Sequence, residues 1–264
     1  MPGRVIMNVF KEPYPFRLID SGQCNAFYNM ALDTAILESV TKGASLPTLR
    51  FYSWKPAAVS IGYFQRLNDE VDRNACRSLG IDIVKRITGG GAVFHQHELT
   101  YSIVIPMTHP LADQAIGASF KRLCAPIVEG LRILGIKAHF SPSNDVHVGA
   151  KKISGNAQTR KMGSLLQHGT ILLDIDLKLM FSLLRVSLQK IKRKEISDAA
   201  ERVTSLRDLL GKNLDPNEVK SAFIEGFRRL LTLDLRGPQS PLPAEEERAQ
   251  YLSAIAVEKG IDTC

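Results

Sequence analysis

Residues 85–95 read KRITGGGAVFH. Each glycine in such a run costs roughly 0.5–1 kcal/mol against alanine in a regular element, so three together have to serve something. The run follows an apolar stretch, IDIVKR (81–86), and precedes AVF, which reads as strand rather than helix. A dinucleotide-binding fold needs GxGxxG opening a helix, and a P-loop needs Gly-Lys-Ser/Thr; neither is present. Glycines between two strands leave bare backbone that can touch a flat or linear ligand and turn N–H groups toward oxyanions. Arg86 stands before the run and His95 after it, and Arg86 can add a bidentate phosphate contact.

The same alternation of patterns extends along the chain. FRLIDSG (16–22), LPTLRFYSW (46–54), AAVSIGYF (57–64) and ELTYSIVIP (98–106) read as strands. AFYNMALDTAILESV (26–40) has helical spacing, and NDEVDRNACRSLG (68–80) carries a helix start, an apolar face and a terminal glycine. Residues 114–134 read as a long helix in which Pro126 predicts a kink or break. KAHFSPS, NDVHV and LLQHGTILLDI read as strands around a GAKKISG turn. Short and long helices follow at 176–184 and 217–231, then a Pro-rich linker (237–243) and a last helix. Strands fall in groups with helices between them, without βαβ alternation. That pattern predicts an α+β fold with central mixed or antiparallel sheets flanked by helices.

Residues 149–158, GAKKISGNAQ, put Lys151 and Lys152 before the small residues Ser154, Gly155 and Ala157. Asn144 and Asp145 lie just upstream, and Gln167-His168-Gly169-Thr170 opens the next strand. Together these residues predict one cleft. An ammonium group between a carboxylate and a phosphate stabilises the charge that develops on both. An adjacent acid, Asp145, is the candidate Mg²⁺ ligand.

Bulk properties narrow the partners. The chain has 264 residues, 44% hydrophobic and 23% charged, with a net charge of +7. One large domain, or one domain with a small appendage, accounts for that length. The charge favours acidic partners, and RVSLQKIKRKE (185–195) is a candidate docking patch for one. No apolar run reaches the roughly 18–20 residues of a membrane span, and the N-terminus lacks a secretion-signal pattern, so a cytoplasmic protein is expected. Cys24, Cys76, Cys124 and Cys264 are scattered, which argues against zinc or a disulfide framework. Without a stacking strand or recognition-helix motif, a basic nucleic-acid-binding module is a remote alternative.

The segments FRLIDSG–NMALD (16–33), LRFYSWKPAAVSIGYFQ (49–65), KRITGGGAVFH, ND–GAKKISGNAQTR (144–160) and LLQHGTILLD (165–174) resemble, in order and separation, the lipoate–protein ligase A family. That resemblance implies a catalytic domain like those of class II aminoacyl-tRNA synthetases and biotin synthetases over residues 1–236. It leaves 237–264 as linker and helix, too short for the family's accessory domain, so either a separate small subunit supplies that part or this form works alone. It implies a tunnel for an acyl chain, ATP and Mg²⁺ as cofactors, lipoate as substrate, and a lipoyl carrier protein or domain as partner. Carried over, Lys152 contacts the carboxyl and α-phosphate oxygens. Arg86, Gly89, Gly90 and Gly91 form the wall, His95 ends it, and Asn144 and Asp145 lie near the nucleotide. Gly155, Ala157, His168, Gly169 and Thr170 shape the cleft. Two departures stand out: Lys85-Arg86 replaces the usual Arg-Arg, and His95-Gln96 the usual His-Asp.

The N-terminal half also resembles cysteine-dependent octanoyl transferases of the same fold. Their cysteine precedes an S-P-S-type stretch, where this chain has His139 and where no cysteine occurs from 125 to 263. A relay through a thioester needs a thiolate in the cleft, and adenylation does not. On that ground the expectation is an ATP-dependent lipoate–protein ligase, with acyl transfer between carrier proteins as the alternative.

Overall fold

The structure, a computed structural model, describes residues 13–142, 144–185, 201–212 and 214–259. Its strands are β1 (Tyr14–Cys24), β2 (Thr48–Trp54), β3 (Ala58–Ile61), β4 (Asp82–Lys85), β5 (Val93–His95), β6 (Glu98–Pro106), β7 (His139–Ser141), β8 (Asp145–Val148), β9 (Lys151–Lys161), β10 (Ser164–Leu172) and β11 (Leu233–Gln239). Its helices are α1 (Ala26–Thr41), α2 (Leu67–Glu70), α3 (Arg73–Ser78), α4 (Ile116–Ile133), α5 (Leu177–Leu183), α6 (Leu206–Leu210), α7 (Pro216–Leu231) and α8 (Pro243–Lys259).

Eight strands form one mixed sheet in the order β11-β1-β2-β6-β10-β9-β8-β7, parallel from β11 to β2 and antiparallel beyond. A smaller sheet places β3 between β4, parallel to it, and β5, antiparallel. This is the α+β architecture that the grouping of strands predicts. Helices cover both faces of the large sheet, which is why β6 is buried along nearly its whole length. Ile103 and Ile105 pack toward α4 and α7, with Leu123, Ile127, Phe223 and Phe227. Val104, one residue out of phase, packs toward α1 with Leu32 and Ile36, as the two-residue period of a strand requires. The small sheet has its own core, in which Val59, Ile61 and Phe94 meet Cys76 of α3 and Leu183 of α5.

Four local expectations are corrected. The helix expected over 68–80 is two short ones. Val71 is extended (φ −132°, ψ 138°), and the Asp72 side chain caps a fresh start by accepting from the N–H groups of Asn74 and Ala75. Pro126 does not break α4. An interior proline costs roughly 3 kcal/mol, but this one is buried against α7, where a Cβ on Gly226 would lie 2.3 Å from the Pro126 carbonyl oxygen. Burial of Phe223 and Phe227 across that contact, worth roughly 1.5–3 kcal/mol each, offsets it. The GAKKISG segment is not one turn. The chain reverses at Gly149 and Ala150, and both lysines already belong to β9. Residues 237–239 of the expected linker continue β11 beside β1.

After residue 236 the chain stays on the body of the fold. Glu245 of α8 accepts two bonds from buried Arg17, at 2.9 and 2.7 Å. Ala249 is buried with the α1 core, and Arg248 pairs with Glu38 of α1 at 2.9 Å. Among the described residues no helix is long and apolar enough to cross a membrane. Of the basic stretch 185–195, all but Arg185 lies outside the described residues.

Candidate active site

A cavity of about 250 Å³ opens between the small sheet with its glycine loop and the β9–β10 hairpin. Arg86, Gly90, Gly91, His95, Asn144, Lys152, Gly155, Ala157, His168, Gly169 and Thr170 all line it. Two predicted residues do not. Gly89 sits one step back, and Asp145 reaches the site through Lys152, whose Nζ is 2.9 Å from Asp145 Oδ1.

The small-sheet wall is held from behind. Arg86 is buried, and its fork does not point at open space. Nη2 donates to the carbonyls of Gly89 (2.9 Å) and Gly91 (2.7 Å), and Nη1 to the Ser60 carbonyl (3.2 Å) and hydroxyl (3.0 Å). Arg86 therefore shapes the glycine loop rather than clamping phosphate, and burial pushes its pKa down to about 10. Gly90 has φ +94°, and a Cβ there would lie 2.9 Å from Arg86 Nη2. His95 is stacked on Trp54 (ring centroids 3.9 Å) and bonded at both nitrogens. Nδ1 donates to Glu98 Oε1 (2.7 Å), which leaves Nε2 to accept from the Ser60 hydroxyl (2.7 Å).

Behind the hairpin wall lies a buried network. His168 donates from Nδ1 to Asp33 Oδ2 (3.3 Å) and accepts at Nε2 from Thr88 (2.7 Å) in the glycine loop. Asp33 also accepts from Arg50 (2.7 Å), Tyr52 (2.8 Å) and Ser102 (2.8 Å). Burial pushes the Asp33 carboxyl up, but Arg50, His168 and Ser102 outweigh it and hold its pKa below the ordinary value. Burial likewise lowers the His168 pKa, which keeps the ring neutral. Asn144, in the left-handed region at φ +70°, exchanges side-chain-to-carbonyl bonds with Asn156, which in turn accepts from Tyr101 (2.7 Å). Gly169 makes room for that Asn156 side chain.

Lys152 differs from all of these. Its side chain is 39% exposed, and Asp145 is its ion-pair partner. It crosses directly over Gly155, where a Cβ would come within 2.7 Å of both Cε and Nζ. Leu172, Ile175, Met180, Leu184 and Val203 supply an apolar lining nearby. The cavity thus combines an apolar body, bare backbone and one partly exposed ammonium group.

Asp145, the candidate Mg²⁺ ligand, is an ion-pair partner in this structure. Its carboxylate is engaged by Lys152, and among the described residues no group of three or more His, Cys, Asp and Glu side chains could hold an ion. No described cysteine lines the cavity either. Cys124 is buried in the main core with its thiol pushed up to about 12, Cys76 is buried in the small-sheet core, and Cys24 opens on a separate hollow. His139 is exposed on β7.

Comparison with known proteins places this geometry. The family model of the lipoyl protein ligase A/B catalytic domain matches residues 25–228. The chain belongs to this family. Within it, the octanoyltransferase LipM of Anoxybacillus flavithermus is 36% identical over 247 residues, 85% of this chain and 89% of the relative. The LipM of Kyrpidia tusciae is 37% identical over 261 residues, 90% and 95% of the two chains. Among solved structures, the bipartite lipoate protein ligase of Thermoplasma acidophilum superposes with a TM-score of 0.81 at 32% identity, covering 92% of each chain. A lipoate-protein ligase A bound with ATP gives 0.77 at 31%, covering 92% of this chain and 94% of that one.

The relatives overturn the expectation of an ATP-dependent ligase, since those similar over most of the length are named octanoyltransferases. The reason the exclusion failed is chemical. A cleft thiol is required only if the acyl group rests on the enzyme. A thioester is already activated, and an amine can attack it directly.

Ser60, Trp54, Glu98 and Asp33 were missed as site residues. Each lies in a segment whose apolar pattern reads simply as strand or helix, and only the tertiary fold turns its polar group inward.

Proposed function

We propose that this protein transfers an octanoyl group from the thioester of one carrier protein to a lysine amine of another. The observation that carries the reading is the 33–37% identity, over most of both chains, to relatives named octanoyltransferase. The cavity suits the chemistry. Its apolar residues accept a medium-length hydrocarbon chain. The Lys152 ammonium group, across from the bare backbone of Gly90 and Gly91, suits a carbonyl oxygen that becomes negative in the transition state.

The acceptor amine attacks the thioester carbonyl, forming the C–N bond. The tetrahedral oxyanion is stabilised by Lys152. It collapses with loss of the C–S bond, and the departing thiolate takes the proton the amine gives up. Neither ATP nor an enzyme thiol enters the balance. Asp145 holds the ammonium group in place, and the wall fixed by Arg86 and His95 keeps the chain aligned. The test is to mix the protein with an octanoyl-loaded carrier and an acceptor lipoyl domain, without ATP, and follow the acceptor by intact mass. A gain of one octanoyl unit supports the reading, and no gain unless ATP and free acid are supplied refutes it.

A further inference from the structure

We infer that the aromatic tip Tyr63–Phe64, at the rim of the cavity, is the seat on which the acidic donor carrier docks as its acyl arm enters. The inference rests on the transfer reading above. Three observations point to it. Phe64 is 87% exposed and Tyr63 43%, an adjacent aromatic pair with ring centroids 5.1 Å apart. Aromatic side chains presented this way are the usual anchors of protein interfaces.

The tip is also rigid. The Tyr63 N–H donates to the Thr88 carbonyl (2.8 Å), and the Gln65 side chain accepts from the Gly62 N–H (2.8 Å), closing the turn. Thr88 belongs to the glycine loop, and a Cβ on Gly89 would lie 3.9 Å from the Phe64 ring. A partner seated on Phe64 is therefore beside Gly90 and Gly91, which line the cavity.

Finally, two lysines stand beside the tip. Lys161 Nζ lies 3.8 Å from the Tyr63 ring centroid and Lys85 Nζ 5.8 Å. Lys161 brings with it the β9–β10 turn, whose Met162 is 55% exposed. Apolar anchors beside two lysines, on a chain of net charge +7, match a partner with an acidic face.

The experiment uses the full chain, an octanoyl-loaded acidic acyl carrier protein, and octanoyl-pantetheine as a small thioester that needs no docking. Phe64→Ala and Lys161→Glu are compared with the parent for turnover of both donors and for direct binding of the loaded carrier. The expected result is a rise of roughly tenfold or more in KM for the carrier. Its kcat, and both constants for octanoyl-pantetheine, stay unchanged. Added salt should weaken carrier binding to the parent more than to Lys161→Glu. Equal loss with both donors, unchanged carrier binding in both variants, or selective loss of the acceptor domain instead would overturn the inference. If the parent turns over neither thioester yet binds the carrier through Phe64, the seat stands and the transfer reading falls.

Discussion

The small-sheet wall of the cavity and Lys152 on the facing hairpin are built on opposite principles. On the small-sheet side three polar side chains are committed: Arg86 to three carbonyls and a hydroxyl, His95 at both ring nitrogens, Ser60 between them. On the hairpin side, Lys152 has one ion-pair partner among the described residues and substantial exposure. A fully committed wall sets shape, because moving it leaves buried groups unpaired. A partly exposed cation with a single partner can respond to a new charge. On the proposed transfer reading, the fold sets a fixed wall beside the acyl chain apart from the cation that meets the reacting carbonyl.

That contrast can be broken most sharply at Lys152. Lys152→Ala should lower transfer by about 10²–10³-fold, the scale of losing one oxyanion-stabilising group. The thermal midpoint should barely move, since a half-exposed pair contributes little stability. Parallel rate and melting measurements decide it; a large loss of stability would mean that Lys152 belongs to the structural wall. Arg86→Ala should strike stability first. Three carbonyls and a buried hydroxyl lose their donor, so we expect about 2–4 kcal/mol of destabilisation by urea unfolding, with activity falling because the loop loses its form.

Gly155→Ala is a finer probe. The added methyl crowds the flexible end of the Lys152 side chain at 2.7 Å and leaves Asp145 Oδ1 at an ordinary 3.7 Å. Stability should stay within about 0.5 kcal/mol while transfer drops about tenfold through misplacement of the ammonium group. Unchanged kinetics would show that the position of Nζ is not critical.

The smallest effect concerns pH. The folded pKa values of both Asp33 and His168 are depressed, so each contributes stability that is present above its unfolded pKa and lost as pH falls through its folded one. Melting should therefore weaken first below about pH 6.5 as His168 begins to pay for protonation, and again below about pH 4 as Asp33 follows. His168→Gln should shrink the first step, to which His109, also depressed by burial, contributes, and leave the second. A melting curve flat from pH 7 to 5 in the parent would contradict the burial of a neutral imidazole.

The same division explains what the sequence disclosed. The glycine run, Lys152 and the small residues after it were legible because they violate ordinary composition, and the fold brings them to one cavity. Strand groups were legible from period-two patterns, as Ile103, Val104 and Ile105 show by facing alternate cores. What stayed hidden depended on distant partners. Pro126 keeps its helix because α7 presses on it, residues 237–239 become strand because β1 offers an edge, and Glu98 points inward because His95 and Thr100 receive it. The pairing of Asp145 with Lys152 was hidden for a similar reason: it forms only when β8 and β9 lie side by side.

The most direct test of the account is the rate of octanoyl transfer from a loaded carrier to an acceptor lysine, without ATP, for the parent and for Lys152→Ala side by side. The account predicts transfer by the parent and its near-complete loss in the variant, with both proteins folded. Equal rates for the two, or no transfer by the parent, would contradict it.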